Sequence, residues 1–463
     1  MPENLLEELK KRLNAKTIHE LRQLGRAIGV PHPADGKKNE VVDDILAVAS
    51  GQKDSEPPTK RGAPPKSQEY DRRLAADILR CREIFLAKNL PDEERKPIEI
   101  FVASGDNNSL DYIGGGILEF DGENWFLRTT GCRENFVYDV FVNKHFVNTY
   151  NLREGDYIEG RCKRVSTDEM AGLASVLKLN GLQPDTAPRV EFDNLSPVYA
   201  NRKLQIAGGA KDKTGRIIDL FAPIGAGQRA LVISPHGCGK THTLKQIAAG
   251  IEQNNGNIKL VIVLIDVSPE DASDFTKSFH GADVFTSPFD AGTAAHIRTM
   301  RLALEYCKRQ TELCKEVVLV IDDLTRLVRA YNAYGKTATA GLDYSAVDSV
   351  KRMLAAARNT EKGGSLTVIS ALNSISGDII EDTAYSALKD IGNVKITLSG
   401  SLARDRIYPP IDLNETYSAQ DMRLLTEEEM QAMIKLRKNE IEEIFALLDS
   451  TETNVQLVDK VLR

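Results

Sequence analysis

The chain has 463 residues, of which 41% are hydrophobic and 27% charged, a composition typical of a globular protein with about two to four domains. The net charge of −7 argues against a uniformly basic nucleic-acid-binding protein, so any such binding must use local patches or aromatic platforms. No apolar run approaches the roughly 18–20 residues that span a bilayer, and the charged amphipathic start is unlike a signal peptide, so no membrane partner is predicted. The six cysteines form no CxxC pair, which favours a reducing, cytoplasmic location without a disulfide framework or a zinc site.

Residues 1–48 are predicted to form a helical N-terminal module, which by itself is typical of packing or tethering. Three apolar sets with helical spacing mark its helices: Leu5, Leu6, Leu9 and Leu13; Ile18, Leu21, Leu24 and Ile28; Val41, Val42, Ile45 and Leu46. Residues 49–69 are rich in Pro and Lys and are predicted to be a linker, and residues 70–97 a helical connection.

Residues 98–183 are predicted to form a small all-β barrel of the OB or cold-shock type. Short alternating segments separated by Gly, Asp and Asn turns indicate its strands, at 98–103, 116–120, 125–128, 137–142 and 157–162. Aromatic residues lie close to basic ones in this segment, which is the combination that single-stranded nucleic acid requires for base stacking and phosphate binding: Trp125, Phe126, Phe136, Tyr138 and Phe141 with Arg128, Arg133 and Lys144. Filling of a small barrel's core explains the same aromatic residues about equally well.

Residues 184–217 read as a polar connector, and residues 218–463 as an α/β domain. Apolar strands are predicted at 229–233, 259–266, 283–286, 317–322, 366–371 and 393–398, with amphipathic helices between them. This alternation predicts a largely parallel sheet covered by helices on both faces. From Thr426 onwards the pattern is helical, and this tail is expected to pack on its own domain or on a neighbouring subunit.

A phosphate-binding loop is predicted in Arg229–Thr243, where an apolar strand, a glycine-containing turn, Lys-Thr and a helical pattern follow one another. The glycines let backbone N–H groups surround a phosphate, the lysine reaches the β- and γ-phosphates, and the threonine hydroxyl binds Mg²⁺. The predicted nucleotide-binding residues are Ser234, Pro235, His236, Gly237, Cys238, Gly239, Lys240, Thr241 and His242. Asp322, at the end of a buried strand, is predicted to hold the Mg²⁺ water shell, although a helix-capping role would explain it too.

Several longer sequence segments resemble those of the bacterial transcription termination factor Rho family, whose members are hexameric RNA-dependent ATPases. The matching phrases include NLREGDYIEGR at 151–161, APIGAGQRALVISP at 222–235, IDDLTRLVRAYN at 321–332 and RIYPPIDLN at 406–414. The resemblance covers nearly the whole chain and implies a helical module, a cold-shock-like RNA-binding barrel and a RecA-like P-loop motor. It further implies ATP and Mg²⁺ as cofactors, Tyr408 stacking on adenine, a homo-oligomeric ring, and RNA polymerase or another Rho as a partner.

The resemblance also implies which residues bind RNA: Trp125, Phe126, Arg128, Asp139 and Phe141 in the barrel, and Lys336 in a loop of the central channel. Differences from the family pattern weaken this prediction. Asn124 replaces a phenylalanine, Leu173 a later stacking tyrosine, and Asp378 a lysine of the second channel loop. Each stacked base contributes about 1–3 kcal/mol, so weaker or altered RNA binding is expected.

Groups that the family uses for hydrolysis are replaced. Val267 stands where the family has the glutamate that polarises the attacking water, and valine cannot orient water or accept a proton. Asp266 is the nearest stand-in, with Glu270 one turn later. The arginine finger falls on Ala419 or Gln420, and Gly237 replaces an extra lysine, whereas Arg406 matches a second active-site arginine and Arg423 is close by.

Three functions remain open on the sequence. The first is an RNA-dependent ATPase and transcription terminator in which hydrolysis is weakened, with Asp266 and Arg406 as its candidate catalytic residues. The second is an inactive paralogue that binds nucleotide and acts as an assembly protein or regulator of termination. The third, more remote, is a motor on single-stranded DNA.

Overall fold

A computed structural model of the chain describes residues 9–27, 30, 37–50, 78, 110–128, 139–164, 170–184, 190–279, 281–334 and 343–463. The described residues fall into two compact units, an N-terminal one and one that contains all the described residues from 110 onwards. The predicted linker and helical connection lie outside the described residues, apart from residues 49, 50 and 78.

The N-terminal unit is helical, as predicted. Its helices are α1 (residues 9–14), α2 (Ile18–Ala27) and α3 (Lys38–Ala49). The apolar positions of the sequence pattern form its buried core, which includes Leu9, Leu13, Leu21, Leu24, Val41, Val42 and Ile45.

The barrel is closed and has five strands, in the order β1-β2-β3-β5-β4. Its elements are β1 (Leu110–Phe120), β2 (Trp125–Arg128), β3 (Val140–Val142), α4 (Lys144–Thr149), β4 (Tyr157–Arg164) and β5 (Ala171–Leu179). Alternate residues fill its interior, among them Leu118, Leu127, Val140, Val142 and Ile158. β5 was not among the predicted strands, and the predicted strand at 98–103 lies outside the described residues.

A mainly parallel sheet forms the centre of the C-terminal domain, with the path β14-β13-β7-β12-β10-β8-β9. The strands are β6 (Pro197–Val198), β7 (Arg229–Ser234), β8 (Ile258–Val267), β9 (Asp283–Pro288), β10 (Glu316–Ile321), β11 (Arg358–Thr360), β12 (Ser365–Asn373), β13 (Val394–Thr397) and β14 (Tyr417–Ser418). All six strands predicted in this domain are present, and β14 closes one edge antiparallel to β13.

Helices cover both faces of this sheet: α5 (Lys213–Phe221), α6 (Lys240–Asn254), α7 (Pro269–Ser278), α8 (Thr293–Glu312), α9 (Leu324–Ala333), α10 (Tyr344–Leu354), α11 (Ile379–Leu388), α12 (Gly400–Arg404), α13 (Glu427–Leu436), α14 (Ile441–Asp449) and α15 (Asn454–Leu462). Alternate residues of one strand serve the two cores, since Val318 and Val320 enter one and Val317, Leu319 and Ile321 the other. This burial on both faces explains why β10 reads as a continuous apolar run.

Two segments differ in detail from the prediction. Leu204 and Ile206 of the predicted polar connector are buried in the domain core, and α5 runs across the predicted boundary at 218. The C-terminal helices pack on their own domain, because Met433, Ile444 and Leu448 lie in that same core. Among the described residues, no helix combines the length and the apolar character needed to cross a membrane.

Candidate nucleotide-binding site and nucleic-acid interface

The predicted phosphate loop joins β7 to α6 at the carboxyl end of the sheet. Gly237 and Gly239 have φ angles of +76° and +82°, and a Cβ added at either would meet nothing within 4 Å. Glycine is therefore favoured by the backbone conformation and not by crowding. The loop leaves Thr241 and His242 exposed in the first turn of α6, where free N–H groups and the helix dipole favour an anion. Ser234 is buried and donates its hydroxyl to the carbonyl of Pro235 at 2.7 Å.

Lys240 lies among polar groups contributed by two neighbouring strand ends. Its Nζ donates to Asp323 just after β10 and to Asn373 at the end of β12. Asp323 also caps α9 by accepting from the backbone N–H of Thr325 at 2.8 Å, so its carboxylate is fixed in place. The lysine is thus held beside the loop by groups that a γ-phosphate would replace.

Asp322 is buried, with 6% of its surface exposed, and accepts from the backbone N–H of Ile265 at 3.0 Å. Burial, and then the neighbouring charge of Asp323, raise the pKa of Asp322 to about 7. A buried carboxylate of this kind gains from a nearby cation, and Mg²⁺ prefers hard oxygen ligands. The Thr241 hydroxyl and the Asp322 carboxylate therefore fit a magnesium ion held mainly through its waters.

Asp266 and Val267 end β8 at an irregularity in its pairing with β9. Asp266 has a positive φ of +55°, which turns the strand so that Asp266 is exposed while Val267 is buried at 7% exposure. The Asp266 carboxylate lies 4.0 Å from Nε2 of His296, whose Nδ1 is 2.8 Å from the Ser287 hydroxyl. The carboxylate nearest to the family's base position is consequently an exposed one, held only loosely.

Glu381 connects the phosphate loop with the second predicted channel loop. Its carboxylate is 2.8 Å from Nε2 of His236, 2.7 Å from the Ser376 hydroxyl and 3.0 Å from Arg329. Burial opposes ionisation of Glu381, but the bonds from His236, Ser376 and Arg329 outweigh it and lower its pKa to about 2. Asp378 caps α11 and pairs with Arg329 at 3.2 Å, so the residue that replaces the family's lysine has a structural partner.

The segment after β13 begins against the phosphate loop. A Cβ added at Gly400 would lie 3.7 Å from Pro235 and 3.9 Å from Sγ of Cys238, which is itself buried. Further along, Arg406 is exposed with a φ of +60°, and Tyr408 is 53% exposed. An exposed tyrosine ring at the edge of the site is suited to stacking on a base.

The positions expected to hold an arginine finger carry no cation. Ala419 is exposed and Gln420 is half-buried. Arg423, the nearby arginine, lies over the ring of Tyr199 at 4.7 Å from its centroid.

Two aromatic pairs lie across neighbouring strands of the barrel. Phe126 and Phe141 are register partners on β2 and β3, with ring centroids 6.0 Å apart in an edge-to-face arrangement. Phe141 is 37% exposed, and Phe126 is half-buried. Trp125 packs on Phe120 with their ring centroids 4.9 Å apart, so the tryptophan ring is already in contact with another ring of the barrel. The exposed stacking surface that the structure offers is therefore centred on Phe126 and Phe141.

Arg128 lies beneath this aromatic pair and is 6% exposed. Its guanidinium is 5.0 Å from the Phe126 ring centroid and donates to Glu119 at 2.6 Å and to Asp139 at 2.5 Å. Burial lowers the pKa of Arg128, but the two carboxylates outweigh this and raise it, so the group stays charged. The sequence predicts Arg128 to be a phosphate-binding cation, whereas in the structure its charge is balanced by Glu119 and Asp139 of the barrel. Lys336, the channel-loop prediction, lies outside the described residues.

Several residues of the site were not predicted from the sequence: Asp323, Asn373, His296, Glu381 and Arg329. Only Asp323 carries a sequence signal, as the second acid after a buried strand. The others come to the site from segments distant in the chain.

Comparison with known proteins matches both domains to described families. Residues 215–418 match the ATP synthase alpha/beta family, nucleotide-binding domain, and residues 114–185 match the Rho termination factor, RNA-binding domain. Among curated proteins, transcription termination factor Rho of Pseudomonas aeruginosa is 32% identical over 415 residues, 85% of this chain and 99% of that protein.

Two further Rho proteins give similar values. The Haemophilus influenzae protein is 34% identical over 76% of this chain and 85% of its own length. The Escherichia coli K12 protein is 35% identical over 71% of this chain and 81% of its own length.

Proposed function

The chain belongs to the transcription termination factor Rho family, and from this we propose that it binds ATP and single-stranded RNA as a ring-shaped assembly with weakened hydrolysis. The observation that carries this proposal is the contrast at one edge of the sheet. Lys240, Asp322 and Asp323 converge there to hold nucleotide, while the position of the water-activating group is a buried valine.

The nucleotide proposed is Mg²⁺·ATP. Backbone N–H groups of the phosphate loop and Lys240 would hold the phosphates, Thr241 and Asp322 the magnesium ion, and Tyr408 the adenine. Mg²⁺, when bound, neutralises phosphate charge and orients the γ-phosphate. The exposure of Tyr408 and Thr241 supports these roles, because both groups are open to a ligand.

Hydrolysis is proposed to be slow because two contributions are reduced together. A positioned general base is worth about 10²–10⁴ in rate and an arginine finger about 10³–10⁵. Asp266 is the proposed substitute base, but it is an exposed side chain, and its carboxylate lies 4.0 Å from the His296 ring. Arg406 is the proposed remaining active-site cation, and neither Ala419 nor Gln420 can replace the finger.

Single-stranded RNA is the proposed ligand of the barrel. The ring faces of Phe126 and Phe141 supply stacking surfaces. Trp125, the third aromatic residue proposed for RNA from the family resemblance, packs against Phe120 and the barrel core. Arg128 and Asp139, which are buried and bonded to each other beside Phe126, are the groups proposed from the family resemblance to bond the edge of a base. Lys336 is proposed to contact RNA in the centre of a hexameric ring, and RNA polymerase or another Rho in the cytoplasm is the proposed partner.

A second candidate function follows from Val267 in particular. If turnover is too slow to drive movement along RNA, the chain acts as an inactive paralogue that regulates termination by joining or competing with an active Rho. Both candidates require ATP binding and assembly, and they differ only in turnover.

The binding part of the proposal is tested by titrating the intact chain with Mg²⁺·ATP, comparing wild type with Lys240→Ala. Charge-assisted hydrogen bonds contribute about 1.5–3 kcal/mol, so Lys240→Ala is expected to weaken ATP binding about 10- to 100-fold. Lys245→Ala is the matched control, because that lysine lies on the same helix and pairs with Asp274. Equal ATP affinity in wild type and Lys240→Ala would refute the site, and native mass spectrometry with nucleotide would establish the ring.

A further inference from the structure

A buried cluster of charges joins the barrel to the C-terminal domain. Its centre is Glu119, on β1, which is 1% exposed although it carries a charge. Oε1 and Oε2 of Glu119 accept from Arg298 of α8 at 2.5 and 2.7 Å, and Oε2 also accepts from Arg128 at 2.6 Å. Arg298 and Arg128 therefore share one carboxylate, although 179 positions separate Glu119 from Arg298 in the chain.

On the barrel side, the cluster lies directly beneath the proposed RNA surface. Arg128 contacts the Phe126 ring on one side and Glu119 on the other. The guanidinium is a rigid planar fork in contact with the Phe126 ring, so a base that stacks on Phe126 and moves that ring would also shift the guanidinium and its bond to Glu119.

On the other side, the cluster is anchored to a helix that reaches Asp266, the proposed substitute base. Arg298 lies in the first two turns of α8, and His296, two residues earlier in the same helix, is 4.0 Å from the Asp266 carboxylate. α8 is held along the barrel at its far end too, because Glu312 pairs with Arg153 at 2.6 Å. A Cβ added at Gly155 would lie 2.3 Å from the backbone carbon of Glu305, which shows how closely barrel and helix pack.

We infer that Glu119 and Arg298 are positioning residues that couple occupancy of the barrel by RNA to the nucleotide site through α8. The inference rests on the proposed binding of both ligands. It assigns a role to an ion pair that neither ligand touches, and by linkage the coupling acts equally in both directions. Asp266 is the group of the nucleotide site that the helix reaches.

The test measures the affinity of the intact chain for a fluorescent, non-hydrolysable ATP analogue with and without a pyrimidine RNA. An RNA of about four nucleotides suits the barrel, since that is the lower end of the site size of such barrels. Wild type is expected to show at least about a fivefold change in nucleotide affinity when RNA is present. Arg298→Gln is expected to reduce this change to less than about twofold, while each ligand alone binds as in wild type.

Two variants separate coupling from folding. Arg298→Lys keeps the charge and is expected to restore part of the coupling. Lys308→Gln removes another cation of α8, which pairs with Glu305 of the same helix at 2.6 Å and not with the barrel. This variant is expected to leave the coupling unchanged.

The outcomes distinguish this inference from the proposed function. If wild type binds both ligands but independently, the inference is wrong and the proposed function stands. If coupling is present and Arg298→Gln leaves it intact, the ion pair is not its route and the inference is also wrong. If wild type binds neither ligand, both the proposed function and the inference fail.

Discussion

Restoring the missing carboxylate by Val267→Glu is the perturbation that bears most directly on slow turnover. Val267 ends β8 and is 7% exposed in a core that also contains Ala272 and Phe275 of α7. Replacing it removes buried apolar surface, which lowers the free energy of unfolding by about 1.5–3 kcal/mol, and placing a carboxylate at this buried position lowers it further. The variant is therefore expected to fold with a lower melting temperature.

The expected kinetic gain follows from what remains absent. A positioned general base raises the rate of such reactions about 10²- to 10⁴-fold. Because Asp266 already offers a carboxylate close by, the gain in rate should lie at the lower end of this range or below it. The missing arginine finger, worth about 10³–10⁵, is not restored. We expect Val267→Glu to raise the turnover number about 10- to 100-fold, to a value still below that of an intact site.

The assay is phosphate release at saturating Mg²⁺·ATP with pyrimidine-rich RNA. Val267→Gln is the matched control, since glutamine has nearly the same size and polarity as glutamate but cannot accept a proton from the attacking water. No gain in turnover is expected for this control. A folded Val267→Glu variant that binds ATP and turns over no faster than wild type would refute the reasoning that the absent base limits hydrolysis.

Three further predictions concern packing, pH and RNA. Gly155→Ala should lower the free energy of unfolding, measured by urea denaturation, by at least about 2 kcal/mol, because φ is +86° and the added Cβ would meet the backbone of α8. Gly122→Ala is the control: its φ is also positive but the space around it is open, so the free energy of unfolding should fall by only about 1 kcal/mol. Burial lowers the pKa of His296, so folding favours the neutral form and the free energy of unfolding falls as pH drops below about 6.5. His296→Gln should remove this loss, which cannot exceed about 1.4 kcal/mol per pH unit. Identical pH profiles of stability for wild type and His296→Gln would contradict this prediction. Phe126→Ala should weaken binding of pyrimidine RNA by about 1–3 kcal/mol without changing ATP affinity, measured by fluorescence anisotropy, whereas an unchanged RNA affinity would mean that Phe126 only fills the barrel.

Elements with a regular hydrophobic period could be predicted from the sequence. β10 and β12 are buried on both faces and read as continuous apolar runs, and the phosphate loop is marked by its glycines and Lys240. β5 was missed because its pairing with β4 shifts register twice, which spaces Leu173, Val176 and Leu179 three apart and hides the alternation.

The contacts that connect the site could not be read from the sequence. Glu119 with Arg298, and His236 with Glu381, join segments that lie 179 and 145 positions apart, and no local pattern pairs such residues. The same holds for Arg128, whose position between Phe126 and Arg133 in the sequence suggested an exposed cation. Only the closed barrel places Glu119 and Asp139 on either side of it and so buries its charge.

The central claim, that nucleotide binding is retained while turnover is weakened, is tested most directly by steady-state ATP hydrolysis with and without pyrimidine-rich RNA. Wild type and Lys240→Ala are measured side by side, together with their ATP affinities. We expect wild type to bind ATP and to hydrolyse it far more slowly than about 1 s⁻¹, the low end of ordinary enzyme turnover. RNA-stimulated turnover on the order of 1 s⁻¹ or faster that Lys240→Ala abolishes would contradict it.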